Sequence, residues 1–342
     1  MDVLGRRDGR GPVASLGHFR ARDGSRGGAV GLDLNRPHAA LVVGKRGSGK
    51  SYTLGVLAEE LARCPGIAPV IIDPMGAFTT LANADTGIEA TVESDPTICA
   101  DTLSARSWCG LFNLDPAGAV GSLLWQAASA TASLDVMETF LEKATVDDAT
   151  RRAARNHLAL AREWDVFGDD GLTTSQLCSP DVTILDCSGL ADPPMNAVCR
   201  AVAEALYRAR IDGTTSRLPW LLVDEAHVFF DGVAGPSLRT LLTRGRQPGV
   251  SLVAATQRPG ALPSVAHSQA DLLVVHRVTN EADRSALEAA RPTYLDGSFA
   301  SRMPTAPGEA LVVDDVTERT HAVKVRPRKT PHGGETPRVN GC

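Results

Sequence analysis

Aromatic residues make up only 4% of the 342 positions. Large rings can contribute little, so a core must be built from aliphatic side chains. The seven cysteines are odd in number and scattered, with no C-x-x-C pair. That usage excludes a disulfide framework and a paired-thiolate zinc site, and suits a reducing compartment. Basic charge is not in excess either: 35 Lys and Arg face 40 Asp and Glu, a net charge of -5. A chain coated along its length by nucleic acid is therefore not expected, although local contacts inside an assembly remain open. No uncharged apolar run approaches the ~20 residues of a membrane span, and the Arg- and Gly-rich beginning has no secretory pattern. A soluble, cytoplasmic protein with no membrane partner is the expectation. What is present, 43% hydrophobic residues, suffices for a full core.

One stretch organises the rest. Gly44-Lys45-Arg46-Gly47-Ser48-Gly49-Lys50-Ser51 fits G-x-x-x-x-G-K-[ST] at every fixed position. The apolar run Ala39 to Val43 leads in and a helical pattern from Lys50 leads out, which is the context the motif requires. Glycines let successive N–H groups turn inward on a phosphate, and the helix adds its positive end. Lys50 can reach the β- and γ-phosphates of ATP, and the Ser51 hydroxyl can hold Mg²⁺. The expected nucleotide contacts run from Gly44 through Ser51 to Tyr52.

Leu54, Leu57, Ala58, Leu61 and Ala62 recur at helical spacing before Cys64-Pro65-Gly66, and Pro69 to Asp73 reads as a buried strand. This βαβ unit predicts an α/β fold whose mostly parallel sheet has helices on both faces. Asp73 would sit at the same sheet edge as the loop, either behind the metal or capping the next turn. Residues 84–180 interrupt the rhythm: Trp108 to Asn113 reads as a strand, and helical patterns follow at Val120–Ala130, Leu134–Ala144 and Asp147–Trp164. A small helical insertion at about 115–165, with Arg151, Arg152 and Arg155 clustered, is expected to pack or to contact another subunit. Strands resume at 181–186, 220–223, 250–255, 271–276, 310–313 and 321–325, between helices near 194–210, 236–244 and 281–290. Residues 1–36 form a Gly/Arg-rich leader carrying Arg6, Arg7, Arg10, Arg20, Arg22, Arg26 and Arg36. Val13–Leu16 and Ala29–Leu32 could be edge strands there, and a solvated leader and a DNA-contacting arm are equally open readings. Residues 37–326 form the core, and 327–342 an extended tail containing Pro331, Gly333, Gly334 and Pro337.

The strand Leu221-Leu222-Val223 ends in Asp224-Glu225. Hydrolysis needs one carboxylate for the metal's water shell and another to activate the attacking water. Asp224 suits the metal role beside Ser51, and Glu225 suits the base. Gln257, after the strand ending at Ala255, can touch the γ-phosphate or the water, or merely serve a turn. Arg244 and Arg246 lie between these strands, and an arginine fork suits a phosphate in transition. Cys187, His227 and His276 read as structural.

In this order the motifs resemble the HerA/FtsK superfamily of P-loop ATPases, and the HerA branch most closely. The similar stretches are Val42 to Ser51, Ile71 to Pro74, Val182 to Leu190, Leu222 to His227, Arg246 to Val250 with Thr256 to Pro259, and Val325 to Gly334. The resemblance implies a RecA-like core, a hexameric homo-oligomer, and ATP-driven movement of double-stranded DNA, as a translocase or helicase in end processing or transport. ATP would sit between subunits, with Arg36 or Arg246 approaching from a neighbour or sensing the γ-phosphate within one. The tail would brace the ring. A packaging or conjugation-type pump, or an ATP-gated scaffold with little turnover, is the alternative. The branch works with a NurA-type nuclease, but residues 1–36 stand where members carry the β-barrel that docks it, which counts against that partner. Where the branch often has Glu after Asp-Pro-x-Gly, this chain has Ala77.

Overall fold

The computed structural model describes residues 1–333 other than 22, 84–86, 131–132 and 296. Arg22 of the leader and Gly334, Pro337 and Cys342 of the tail lie outside the described residues. The strands are β1 (Asp2–Leu4), β2 (Val13–Arg20), β3 (Arg26–Asp33), β4 (Ala39–Val43), β5 (Ile67–Asp73), β6 (Ala90–Ser94), β7 (Val182–Asp186), β8 (Leu218–Val223), β9 (Ser251–Thr256), β10 (Leu272–Val275), β11 (Glu309–Asp314) and β12 (Arg319–Val325). They join one sheet in the order β1-β3-β2-β12-β11-β10-β4-β9-β8-β5-β7-β6. From β10 to β6 every neighbour is parallel, and β10-β11-β12-β2-β3 continues antiparallel.

Strands buried on both faces carry unbroken apolar runs instead of alternation. In β4, Ala39, Leu41 and Val43 enter one core, while Ala40 and Val42 enter the other. The second core is closed by Leu54, Leu57, Ala58 and Leu61 of α1 (Lys50–Leu61), together with Leu4, Ala14, Leu16 and Val30 of the leader strands. The first core takes the opposite face. It receives the helices α2 (Ala105–Leu111), α3 (Ala119–Ala130), α4 (Leu134–Lys143), α5 (Asp148–Glu163), α6 (Thr174–Leu177), α7 (Asp192–Ile211), α8 (His227–Phe230) and α9 (Gly235–Arg244). α10 (Ser264–Gln269), α11 (Glu281–Ala289) and α12 (Phe299–Arg302) add Ala266, Leu287 and Phe299 to it. Among the described residues no helix is long and apolar enough to cross a membrane.

One sequence expectation is overturned, the strands suggested at Val13–Leu16 and Ala29–Leu32 form within β2 and β3, and the tail takes a definite place. Trp108 to Asn113 is no strand: Ser104 caps α2 by accepting the Ser107 N–H, and the buried Trp108 indole donates to the Ala100 carbonyl at 3.0 Å. The ring then packs against Phe167, with centroids 4.8 Å apart. The leader is built into the main sheet, because β2 pairs with β12 from the far end of the chain and Arg326 N–H donates to the Leu16 carbonyl. The tail runs along its own α1 as far as His332, whose ring meets Tyr52, and Gly333 stands against Ala77 and Thr80. Buried Glu59 of α1 accepts the N–H groups of Lys329 and Thr330, each at 2.8 Å, and the Thr330 hydroxyl at 2.7 Å. Arg326 pairs with Glu59 at 2.7 Å and with Glu60 at 2.8 Å. In the insertion, Arg151 turns inward to the carbonyls of Leu141, Ala144 and Val146.

Candidate active site

The loop between β4 and α1 sits at the carboxyl edge of the parallel strands. Gly47 and Gly49 take φ of 73° and 118°, in the left-handed region where a side chain would be strained. A β-carbon on Gly49 would also press on the Gly308 backbone at 3.3 Å. As the α1 cap, Gly49 offers no side-chain acceptor, so the first-turn N–H groups are available to a phosphate. Lys45 N–H donates to the Arg277 carbonyl and Gly308 N–H to the Ser48 carbonyl, so the loop is anchored from distant segments. Lys50 is buried, with Nζ 3.4 Å from the Lys45 carbonyl. Burial lowers its pKa, and the charges of Glu225 and Asp224 oppose that shift.

β9 lies between β4 and β8, so the ends of three strands converge here. The Ser51 hydroxyl donates to Asp224 Oδ2 at 2.7 Å, and Asp224 Oδ1 accepts the Glu225 N–H at 2.9 Å. Glu225 has φ of 46°, a conformation few non-glycine residues adopt. Burial raises its pKa, and Asp224 adds to the shift; Lys50, the Gln257 N–H and Arg46 work against it. Glu225 Oε2 is buried without a hydrogen-bond partner; His227 Nδ1 stands 3.5 Å away, close enough for charge attraction but short of a bond. Gln257 is half-buried just beyond β9.

Ser51 and Asp224 supply two adjacent hard oxygen donors, which fits Mg²⁺, an ion that takes one or two protein ligands and completes its shell with phosphates and water. Among the described residues no group of three or more His, Cys, Asp or Glu could cage a metal, so these two would be its protein share.

Lys50, Ser51, Asp224, Glu225 and Gln257 are thus brought together, while Lys45 and Arg46 are exposed on the rim of the loop. Arg246 and Arg36 are not brought in. Arg246 lies 3.7 Å from Asp271, and Asp271 accepts the Ala39 N–H at the opposite end of β4. At ~3.3 Å per residue, β4 separates that edge from the loop by roughly 15 Å. The same distance applies to Arg36, which precedes β4 and pairs with Asp33. A role for either arginine within its own subunit is therefore not supported. The signal was in the sequence: both precede strands of a parallel sheet, so both fall at its amino edge.

Asp73 resolves as a turn cap, accepting the N–H groups of Met75 and Phe78 at 3.2 and 2.8 Å. Burial raises its pKa to about 6. Tyr52 faces the tail, its hydroxyl accepting the Arg328 N–H at 2.6 Å. His276, read from the sequence as structural, is a support for α1. Its Nδ1–H donates to the Glu309 carbonyl at 2.8 Å, so Nε2 accepts the Thr53 hydroxyl at 2.9 Å. Burial pushes its pKa down to about 4. His276 thereby ties α1 to β11.

A family described as "Helicase HerA, central domain" matches residues 15–164, beginning inside β2. The chain is 20% identical to the DNA double-strand break repair helicase HerA of Pyrococcus furiosus, over 86% of this chain and 67% of that protein. Among solved structures, VirB4 of Thermoanaerobacter pseudethanolicus superposes with a TM-score of 0.68 at 19% identity, covering 94% of this chain and 98% of that one. The bacterial conjugative coupling protein TrwBdeltaN70 gives 0.63 at 17% identity, with 88% of each chain covered. These two share the fold: a mostly parallel RecA-like sheet flanked by helices. With the loop, the paired acids and the order of strands in place, the chain is similar to the HerA/FtsK superfamily of P-loop ATPases, sharing a HerA central-domain match over residues 15–164 and the fold of VirB4 and TrwBdeltaN70.

Proposed function

We propose that this protein hydrolyses ATP and uses the energy, in a ring of like subunits, to move along or unwind double-stranded DNA. The observation that carries the reading is the meeting of Ser51 and Asp224 at 2.7 Å, with Glu225 next in the chain and Lys50 on the same edge. Gly44 to Ser51 would hold the phosphates, and Lys50 would neutralise the β- and γ-oxygens. Ser51 and Asp224 would hold Mg²⁺, which when bound spreads charge off the transferring phosphoryl group. Glu225 takes a proton from the attacking water, its raised pKa making it the stronger base. Gln257 orients that water. Arg246 or Arg36, at the far edge of its own sheet, would serve a neighbour's nucleotide.

The DNA cargo is drawn from the description of the Pyrococcus furiosus relative. A motor that moves protein instead is the second reading, and the net charge of -5 favours a cargo other than a polyanion. Turnover measured with and without duplex DNA separates them. Duplex DNA should raise the rate, and salt should erase the effect as phosphate contacts release counterions. A rate indifferent to duplex at low salt would leave the protein-cargo reading standing.

A further inference from the structure

On the reading of Glu225 as the base, we infer that His227 is the positioning residue that aims it, through a proton held on Nδ1. His227 opens α8, three residues beyond Asp224, and its side chain is 13% exposed. Its Nδ1 faces two oxygens, Thr256 Oγ1 at 3.1 Å and Glu225 Oε2 at 3.5 Å. Thr256 is fully buried at the end of β9, and its hydroxyl oxygen already accepts the Arg258 N–H at 3.0 Å. The Ala226 N–H fastens the acid-bearing turn to the Ala255 carbonyl at 2.7 Å. The ring is therefore fixed against β9, not against its own helix.

The carboxylate supplies the complementary need. Its Oε2 is buried and unpartnered, and an orphaned polar atom in that setting is costly. The Glu225 N–H is already committed to Asp224, and its backbone is confined to the left-handed region. Burial first, then Arg258, lowers the pKa of His227, so the ring is neutral near neutral pH and has a single N–H. With that hydrogen on Nδ1, one donor spans the Thr256 hydroxyl and Glu225 Oε2, and a small ring rotation completes the second bond. Oε1 is then left to the water. Gln257 follows Thr256 directly, so the two residues that would handle the water share one support.

Two amide substitutions separate the ring nitrogens. In His227→Asn the new amide nitrogen falls near the position of Nδ1, whereas in His227→Gln it falls near that of Nε2. His227→Ala should lower kcat about tenfold with ATP binding and KM unchanged. His227→Asn should recover most of the loss and His227→Gln should not. In a Glu225→Gln background, His227→Ala should cost nothing further in single-turnover hydrolysis. Recovery by His227→Gln instead of His227→Asn would overturn the assignment, and so would an undiminished loss in the Glu225→Gln background. Should His227→Ala fail to fold, the two amide variants still decide. Wild-type turnover in Glu225→Gln alone would overturn the base assignment itself, a result visible before any His227 variant is made.

Discussion

Replacing Glu225 by Gln keeps the shape of the side chain and removes its capacity to accept a proton. General-base catalysis contributes about 10²- to 10⁴-fold, or ~3–5 kcal/mol of barrier, and this is the expected loss in kcat. ATP binding should persist, because Lys50, Ser51 and the loop N–H groups are untouched. Stability should not fall. The wild-type carboxylate is buried beside Asp224, with Oε2 unpaired and the backbone at φ of 46°, so the position is already a costly one. Glu225→Gly tests that directly. It relieves a left-handed conformation worth ~1–2 kcal/mol and adds ~0.5–1 kcal/mol of unfolded-state entropy, a net change from zero to about 1.5 kcal/mol in favour of the variant. Phosphate release under steady-state and single-turnover conditions, nucleotide binding, and denaturant unfolding without nucleotide make up the assay. The acid limb of the wild-type pH profile should lie above the ordinary carboxylate range and vanish in Glu225→Gln, because a raised pKa means the base is lost early as pH falls. Turnover in Glu225→Gln within about threefold of wild type would refute the base role. A large stability loss in Glu225→Gly would refute the strain argument.

Two further outcomes are expected. His276 is fully buried with its pKa lowered from 6.5 to about 4, so its neutral form stabilises the fold fully above pH 6.5. That contribution is lost as pH falls from 6.5 through 4, and amounts to about 3 kcal/mol at ~1.36 kcal/mol per unit. Unfolding titrations at several pH values should show a shallower loss in His276→Gln, and identical slopes would exclude His276 as the source. Glu59→Ala strips the acceptor from Lys329, Thr330 and Arg326 at once and leaves Arg328, 1% exposed, without its nearest carboxylate. Breaking such a buried pair costs about 3 kcal/mol, read by denaturant unfolding, and faster proteolysis of the tail should accompany it. A change below about 0.5 kcal/mol would mean the tail is only laid on the surface.

The parts of this molecule that were legible in the sequence are those whose partners lie close along the chain. The loop from Gly44 to Ser51, the helix it starts and the strand to Asp73 form a local unit, and its periodicities carry it. The acids at the end of β8 were found because Asp224-Glu225 after an apolar run, only moderately specific alone, becomes a strong signal in a chain that also carries the Gly44–Ser51 loop. Long-range pairing left no such mark. Val13–Leu16 read as a possible edge strand, but the partner of β2, β12, lies some three hundred residues away, so its place in the sheet could not be read locally. β6, half-exposed and five residues long, gave no pattern. Glu59 read as one more polar residue of α1, although the tail covers it completely. The Trp108 stretch misled because Ser104 looks like any other serine until its hydroxyl is seen capping a helix.

The two halves of the site are held to different degrees, and that contrast bears on how hydrolysis could be gated. The phosphate side is anchored repeatedly: Lys45 to Arg277, Ser48 to Gly308, Thr53 to His276, and Glu59 to the tail. Each anchor comes from a strand or segment far away in sequence, and each acts on the loop or on α1, so the phosphate cradle is preorganised before a ligand arrives. The acid side has Asp224 fixed by Ser51 and by its own neighbour, yet the carboxylate of Glu225, proposed as the base, ends in an unpaired oxygen. A base with one free oxygen can be aimed or released by a small shift of the β9 end, at little cost to nucleotide binding. Binding and hydrolysis are then separable within one subunit: a disturbance arriving through Thr256 to Arg258 would change kcat, whereas one arriving through the tail would change affinity for ATP.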